Sequence, residues 1–195
     1  KKDVASKKFV GIDKESFLVK TCKAIMAIMG DGRGHVFCTS SLLPMSQWES
    51  KIKSTIKPSS FDIVLTNPPF GKKIKITDKS TLETYDLGFK WKQNKDTGEW
   101  IKSTTLAPSR TPQILFIERC LKLLKPGGRM GIVLPDSILG NSTNGFVRQY
   151  ILSLAKLLAV VDLPVDTFNP NTPTKTSVLL LQRRGEDDEE DTHNI

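Results

Sequence analysis

The tetrapeptide Asn67-Pro68-Pro69-Phe70 constrains the fold of this chain more than any other feature. It directly follows the apolar run FDIVLT at positions 61–66, a pattern typical of a short buried strand. Two consecutive prolines fix φ at about −65° and remove two backbone donors. The sequence therefore predicts a strand that ends in a rigid loop, and this loop carries one carboxamide and one aromatic ring.

Short apolar runs alternate with helical spacing along most of the chain. Positions 111–124 begin with Thr-Pro, which suits the first turn of a helix, and end at the turn KPGG. Residues 44–60 are predicted to be mostly irregular, with one helical turn. We predict strands at 9–12, 36–38, 61–66, 129–134, 159–163 and 176–182, and helices at 17–29, 111–124 and 146–158. Strands that alternate with helices predict an α/β fold with a mostly parallel sheet.

A long insertion at residues 72–110 interrupts this alternation. It is rich in lysine, and Asp-Thr-Gly between Trp91 and Trp100 predicts a hairpin. Two interpretations stay open for the aromatic residues at 85–100. With the neighbouring lysines, such as Lys72 and Lys73, they form a nucleic-acid surface, or they cover a small core of their own.

The charge of the chain is +8 but is unevenly distributed. Residues 186–191 carry six negative charges, so the rest of the chain stands at +14. A body this basic suits a polyanion such as nucleic acid, although a merely lysine-rich surface has the same composition. We predict one domain over residues 1–185 and an acidic tail or linker over 186–195.

The three cysteines have neither disulfide nor zinc spacing. They are interpreted as small core residues in a reducing compartment. His35 and His193 are too distant in sequence to suggest a metal site, and no metal is expected. The longest apolar runs are far shorter than the ~20 residues that span a bilayer, and no secretion signal opens the chain.

Polar residues follow several predicted strands, at the edge where ligands bind in α/β sheets. Asp13 follows the first strand, Ser40 the second, Asn67 the third and Asp136 the fourth. A carboxylate at the position of Asp13 can accept hydrogen bonds from ribose hydroxyls. It can equally serve as a helix N-cap, because Asp is favoured at that position.

The loop at 67–70 suits chemistry on an exocyclic amino group. The amino nitrogen of adenine is a poor nucleophile because its lone pair is delocalised into the ring. If the Asn67 side-chain oxygen and the Pro68 carbonyl each accept one N–H, the lone pair is directed at a methyl donor, while Phe70 stacks on the flipped base. The alternative is an ordinary Asn-Pro turn.

Four segments together resemble the N6-adenine DNA methyltransferases, most closely the modification subunit of type I restriction–modification systems. They are DIVLTNPPFG at 62–71, LKPGGRMGIVLP at 124–135, VDLP at 161–164 and TKTSVLLL at 174–181. The likeness covers most of residues 9–183. It implies a Rossmann-like methyltransferase sheet.

The resemblance also implies S-adenosylmethionine as the methyl donor and flipping of the target base in double-stranded DNA. It implies specificity and endonuclease subunits as partners, and a cytoplasmic location in a bacterium or archaeon. Its catalytic residues correspond to Asn67, Pro68, Pro69 and Phe70. Asp13, Ser40 and Asn67 correspond to cofactor-binding positions, and residues 171–177 correspond to a loop near the target base.

Two departures from the family pattern qualify this prediction. The glycine-rich cofactor loop and its strand, expected before Asp13, are missing, and Ser40 stands where the family usually has an acid. We therefore expect a sheet truncated at its N-terminal side that binds cofactor poorly alone. Direct pairing of the two sheet halves, self-association or another chain would fill the gap. The alternatives are a non-catalytic DNA-binding or assembly module, and a methyltransferase acting on RNA or protein glutamine.

Overall fold

The computed structural model describes residues 8–30, 35–70, 74–170, 173–185 and 188. The chain folds as two compact units, Lys1–Lys57 and Pro58–Ile195. The first unit holds a two-stranded sheet, and the second holds a four-stranded sheet and a separate hairpin. Strands and helices alternate in both units, which confirms the predicted α/β class.

The first unit is built on two parallel strands, β1 (Val10–Asp13) and β2 (His35–Cys38), as predicted. Helix α1 (Ser16–Ile28) lies between them in sequence and buries Val19. Asp13 pairs with Cys38 in the register of the two strands. Both strands therefore end at the same edge of the sheet.

Residues 44–60 contain more helix than the sequence predicts. They form a 3-10 turn at Met45–Gln47 and the short helix α2 (Ser50–Thr55). Trp48 and Ile52 are buried, and the indole N–H of Trp48 donates to the Ser40 carbonyl oxygen at 3.1 Å. A six-residue helix has too few turns to show a recognisable apolar spacing.

The second unit contains six strands and four helices in its described residues. Among the described helices of the whole chain, none combines the length and the apolar character that a membrane crossing requires. The elements are β3 (Phe61–Thr66), α3 (Lys79–Leu82), β4 (Phe89–Gln93), β5 (Trp100–Leu106), α4 (Pro112–Leu123), β6 (Leu124–Pro135), α5 (Asp136–Gly140), α6 (Gly145–Leu154), β7 (Ala155–Asp162) and β8 (Thr176–Arg183).

The four-stranded sheet has the order β3-β6-β8-β7. β3 is parallel to β6, whereas β8 is antiparallel to both β6 and β7. Three strands therefore run in one direction, but the sheet is mixed rather than mostly parallel. The reason lies in the connection 163–175, which has no helix among its described residues. If β8 were parallel to β7, the chain would need a crossover connection, usually a helix. A loop that turns straight back makes β8 antiparallel to β7.

Helices α4 and α6 cover one face of this sheet. On β6, every second residue from Gly128 to Leu134 is buried; between them Arg129 is exposed and Val133 is half-buried, although Gly131 is also buried. The core consists of residues from both helices and from β6 and β8, including Leu115, Ile117, Leu121, Met130, Ile132, Leu134, Val147, Ile151 and Leu181. The helix-side face of the sheet therefore carries the main hydrophobic core.

The opposite face of the sheet is apolar but open. On β3, Ile63 is 63% exposed and Leu65 is 78% exposed. Leu65 lies beside Gly131 of β6, where a Cβ atom would come within 2.9 Å of the leucine side chain. Among the described strands, β3 is an end strand of its sheet. Strand β3 therefore has both an unpaired backbone edge and exposed apolar side chains.

Two predicted boundaries are wrong. The helix predicted at 146–158 ends at Leu154, because Ala155 and the residues after it pair with β8. The turn KPGG, predicted to precede a strand at 129, lies within β6, which begins at Leu124 by pairing with Phe61. Gly127 makes the turn with φ of 76°, and the pairing shifts register there. Pairing with strands that are distant in sequence determines both boundaries. The spacing of apolar residues within each segment does not predict this pairing.

The predicted hairpin in the insertion is confirmed by the antiparallel pairing of β4 with β5. Trp91 and Trp100 pack against Phe146 of α6, with ring centroids 6.0 and 5.8 Å apart, respectively. Tyr85 is 1% exposed. These aromatic side chains therefore pack on the main core of the second unit rather than on a small core of their own, and a nucleic-acid surface in the insertion stays a prediction.

The three cysteines, all predicted to be core residues, differ in their burial. Cys120 is buried in α4, as predicted, but Cys22 and Cys38 are exposed. Burial also raises the pKa of the Cys120 thiol to about 12. The prediction of a core role is therefore wrong for two of the three residues.

We expect a thiol reagent at pH 8 to label Cys22 and Cys38 and to spare Cys120 in the folded protein. The thiolate is the reactive form, and both burial and the raised pKa suppress it at Cys120. Mass spectrometry of peptides after brief alkylation measures this directly. Labelling in urea is the control, since all three thiols should then react, and labelling of Cys120 in the native protein would contradict the structure.

Candidate functional site

The loop at 67–70 begins where β3 ends, as predicted. Asn67 and Pro69 are exposed, Pro68 is buried and Phe70 is half-buried. Within the described residues, the Asn67 side chain makes no hydrogen bond. The loop thus presents an exposed carboxamide beside a buried proline, which leaves the carboxamide oxygen available as an acceptor.

Phe70 is held by a second aromatic ring. Its ring meets that of Phe168 at 74°, with centroids 5.3 Å apart, which is the favourable edge-to-face geometry. Phe168 belongs to the connection between β7 and β8. Two loops at the same end of the sheet therefore meet through this ring pair.

Hydrogen bonds join the end of β6 to the start of β8 at this edge. Pro135 pairs with Thr176, and the Asp136 N–H donates to the Lys175 carbonyl oxygen at 3.1 Å. The Ser177 hydroxyl donates to Asp136 Oδ1 at 3.0 Å. Asp136 therefore lies at the predicted edge, with its carboxylate engaged by Ser177.

A cavity of about 360 Å³ opens beside the loop within the second unit. Its walls come from Phe70, the start of α4, helix α5, the turn after α5 and Thr174 of the connection before β8. Two cations, Lys75 and Arg110, line it, and none of its described lining residues is a carboxylate. The volume and the mixed apolar and polar lining suit one small organic group, and the charge suits an anionic one.

Arg110 is a fixed cation in this wall. Its Nε donates to the Leu87 carbonyl oxygen at 2.6 Å, and its Nη2 donates to the Phe89 carbonyl oxygen at 2.6 Å. The guanidinium carbon also lies 4.9 Å from the centre of the Phe146 ring. Burial lowers the pKa of Arg110 from its ordinary value, yet an arginine stays charged in proteins.

Gln113 is among the cavity residues that sequence reasoning missed. It lies in the first turn of α4 and is 6% exposed. Its Oε1 has no hydrogen-bond partner in the described part of the chain. In the sequence, Gln113 is only a polar residue among apolar ones at the start of a helix. An exposed first turn has the same pattern, so the sequence does not predict that Gln113 is buried.

Asp13 and Ser40 belong to the first unit, at the ends of adjacent strands. Asp13 Oδ1 accepts the Glu15 N–H at 2.8 Å, and Ser40 Oγ accepts the Leu42 N–H at 3.3 Å. The N-cap of α1 is Glu15, so the interpretation of Asp13 as that cap is wrong. One carboxylate oxygen remains for further acceptance, which is what a ribose hydroxyl would use.

Some predicted residues lie outside the described residues. They are Lys72, Lys73, Asn171 and all of the acidic run 186–191 except Asp188. Thr174, from the loop that the resemblance places near the target base, is described and lines the cavity. No cluster of three metal-ligating side chains occurs among residues that the structure describes.

The whole chain, residues 1–195, matches the family model described as N-6 DNA methylase. It is 24% identical over 169 residues to the type I restriction enzyme EcoEI methylase subunit of Escherichia coli, which covers 76% of this chain and 28% of that protein. It is 31% identical over 128 residues to the type II methyltransferase M.XhoI of Xanthomonas vasicola, which covers 65% of this chain and 20% of that protein. The chain thus spans about a quarter of the length of these relatives.

Solved structures show the same fold. The type I restriction–modification system methyltransferase subunit from Streptococcus thermophilus superposes with a TM-score of 0.65 at 22% identity, over 91% of this chain and 34% of that one. A chain from a type I R-M system, solved in a study of complex assembly, gives 0.64 at 25% identity, over 91% and 31%. These similarities confirm the predicted Rossmann-like methyltransferase fold.

Proposed function

Since this chain belongs to the N-6 DNA methylase family, we propose that it carries the catalytic loop of a site-specific DNA adenine-N6 methyltransferase from a restriction–modification system. One observation carries this proposal. The exposed Asn67 carboxamide stands at the end of β3, and Phe70 of the same loop lines a cavity suited to a small organic group.

The loop residues would act on the amino group of a flipped adenine. The Asn67 side-chain oxygen and the Pro68 carbonyl each accept one N–H of that amino group. These two bonds draw the nitrogen towards tetrahedral geometry and free its lone pair for attack. Phe70, held by Phe168, stacks on the base. Catalysis then rests on orientation and on hydrogen bonds that strengthen in the transition state.

S-adenosylmethionine, when bound, supplies an electrophilic methyl group. In the first unit, Asp13 and Ser40 are the residues proposed to hold it, and the cofactor contact that the resemblance assigns to Asn67 stays a prediction. Asp13 fits this role because the Glu15 N–H engages only one of its two oxygens, and the other can accept a ribose hydroxyl. Ser40 offers a hydroxyl, a weaker partner for an adenine amino group than a carboxylate. The cofactor site is therefore expected to rely more on Asp13 than on Ser40.

Replacing Asp13 by Ala should weaken S-adenosylmethionine binding by about tenfold or more, since a hydrogen bond to a charged group contributes about 1.5–3 kcal/mol. Titration calorimetry on the full-length polypeptide measures this effect. The matched control is Asp96→Ala in the turn between β4 and β5, which should leave the affinity unchanged. An unaltered affinity in the Asp13 variant would remove Asp13 from the proposed cofactor site.

We propose double-stranded DNA as the substrate and the specificity and endonuclease subunits of such a system as partners. We also propose that the protein associates with further copies of itself. The basic body, at +14 without its acidic run, supports the choice of a polyanion. The proposed location is the bacterial or archaeal cytoplasm, where this substrate is found.

The deciding experiment incubates the full-length polypeptide and its partner subunits with DNA and labelled S-adenosylmethionine. We expect label in DNA and N6-methyladenine in its nucleoside digest. Label in RNA or in protein glutamine instead would establish one of the alternative substrates. DNA binding without any methyl transfer would identify a non-catalytic module.

A further inference from the structure

The lysines of the second unit divide into ion-paired and unpaired residues. Outside the insertion at 72–110, each lysine that the structure describes in this unit pairs with a carboxylate, and these are Lys122, Lys125, Lys156 and Lys175. Inside the insertion, Lys102 pairs with Asp86. The other described lysines there have no ion pair within the described residues, and they are Lys75, Lys79, Lys90, Lys92 and Lys95. Among the described lysines of this unit, unpaired charge therefore lies in the insertion.

The hairpin presents two of these lysines on its solvent side. Along β4, Trp91 packs against the main core of the unit, and the residues on either side of it, Lys90 and Lys92, are exposed. Alternate side chains of a strand point to opposite faces, so these two lie on the face turned away from the core, about 7 Å apart along the strand. We call Lys90 and Lys92 the lysine face.

Hydrogen bonds fix the hairpin to the rest of the unit. The Gln149 side chain accepts the Trp100 N–H at 2.7 Å and donates to the Trp100 carbonyl oxygen at 2.8 Å. Arg110, which lines the cavity, donates to the carbonyl oxygen of Phe89 at 2.6 Å. Because Phe89 directly precedes Lys90, the strand that carries the lysine face is bonded to a residue of the cavity wall.

The surroundings of the lysine face indicate the kind of partner. An ammonium group binds phosphate as a point charge, and a fixed strand presents two of them without the cost of ordering a loop on binding. Trp91 and Trp100 pack on the core, so neither offers a stacking surface for bases on this side. The acidic residues Asp96 and Glu99 lie in the turn beyond β4. The lysine face therefore suits a phosphate backbone rather than unstacked bases.

The cavity indicates which part of a nucleic acid would reach the lysine face. A base that enters an enzyme pocket stays attached to its strand, so the phosphates on both sides of it remain near the mouth of the pocket. Building on the proposed function, we propose that Lys90 and Lys92 bind the DNA backbone beside the extruded adenine. These contacts carry no sequence information and take no part in the chemical step. They strengthen the binding of any DNA and hold the flanking strand beside the cavity.

The salt dependence of DNA binding tests this proposal. Wild type and the double variant Lys90→Gln/Lys92→Gln, each as the full-length polypeptide with its partner subunits, are titrated with DNA at several salt concentrations. Each lost phosphate contact makes the slope of log affinity against log salt less steep by about 0.9, so we expect a change of about 1.8. At 50 mM salt, the affinity should fall by at least about tenfold.

A second double variant separates local contacts from net charge. Lys125→Gln/Lys156→Gln removes the same two charges, but from lysines that are already ion-paired. Its slope should stay within about 0.5 of wild type, because no phosphate contact is lost. Lys90→Arg/Lys92→Arg keeps the charge and should restore the wild-type slope.

Three further readouts do not depend on the slope. The Gln variant of the lysine face should lose the same factor in affinity for recognition-site DNA and for unrelated DNA. At saturating DNA, its kcat should stay within about threefold of wild type. In wild type, bound DNA should protect Lys90 and Lys92 from acetylation by an N-hydroxysuccinimide ester, whereas Lys125 should react equally with and without DNA.

Each result decides the proposal. An unchanged slope in the lysine-face variant, or an equal change in the Lys125 and Lys156 control, would overturn it, and so would a loss confined to the recognition site. Binding of an acidic protein segment instead of DNA would leave the slope unchanged. If the variant fails to fold, the acetylation pattern of wild type decides, since full reaction of Lys90 and Lys92 in the DNA complex would overturn the proposal. Normal methylation with an unchanged slope refutes this inference alone, whereas DNA binding without N6-methyladenine refutes the proposed function.

Discussion

Asn67→Ala in the full-length polypeptide should abolish methyl transfer to DNA, with a loss of at least about 10²–10³-fold in kcat. This is the loss seen when one preorganised hydrogen-bonding group is removed from a transition-state site. The Asn67 side chain is exposed and makes no hydrogen bond within the described residues, so its removal should leave the fold intact. Single-turnover methylation with labelled S-adenosylmethionine measures the loss.

DNA binding and stability separate this effect from damage to the protein. The variant should bind DNA within about threefold of wild type and unfold at the same temperature. The matched control is Asn94→Ala, which replaces another asparagine, in the turn between β4 and β5. This variant should methylate DNA at the wild-type rate. A variant at Asn67 that retains more than a tenth of wild-type kcat would rule out the proposed role of the carboxamide.

The second large effect is expected at Glu118, which is fully buried in α4. Its two oxygens accept the N–H groups of Asp86 and Leu87, each at 2.8 Å, and Lys122 Nζ lies 2.6 Å from Oε1. Glu118→Ala leaves two backbone donors unpaired and removes the partner of an ion pair. We expect a loss of about 3–5 kcal/mol in unfolding free energy.

Urea denaturation measures the loss in global unfolding free energy, and hydrogen exchange measures the loss of protection at individual amides. The amides of Asp86 and Leu87 should exchange faster in Glu118→Ala, because they lose their acceptors. Glu118→Gln keeps one oxygen and should lose only about 1–3 kcal/mol. Glu83→Ala, at an exposed glutamate in the insertion 72–110, should stay within about 0.5 kcal/mol of wild type. Equal stability of Glu118→Ala and Glu83→Ala would contradict the role of Glu118 as a stabilising acceptor for the Asp86 and Leu87 amides.

Much of the sheet could be predicted from local patterns. Strand β3 has the predicted bounds, 61–66, because an apolar run ends at two prolines that cannot continue a strand. The hairpin between Trp91 and Trp100 was also predictable from its turn residues. The position of the loop at 67–70, directly after its strand, therefore follows from local sequence alone.

What the sequence could not predict depends on contacts between distant residues. Residues 155–158 have an apolar pattern that fits a helix as well as a strand, and pairing with β8 decides the outcome. The cavity brings Gln113 together with Phe70, 43 residues earlier, and with Thr174, 61 residues later. No local pattern records that these segments meet.

The open face of β3 has a consequence for handling the protein. An end strand that displays Ile63 and Leu65 to solvent resembles the surfaces through which proteins aggregate, since its edge can recruit strands from other molecules. Natural sheets block such edges with charged residues or cover them. We therefore expect copies of the second unit to associate with one another through this edge and this face. Charged residues introduced at positions 63 and 65 would be the first change for producing it in soluble form.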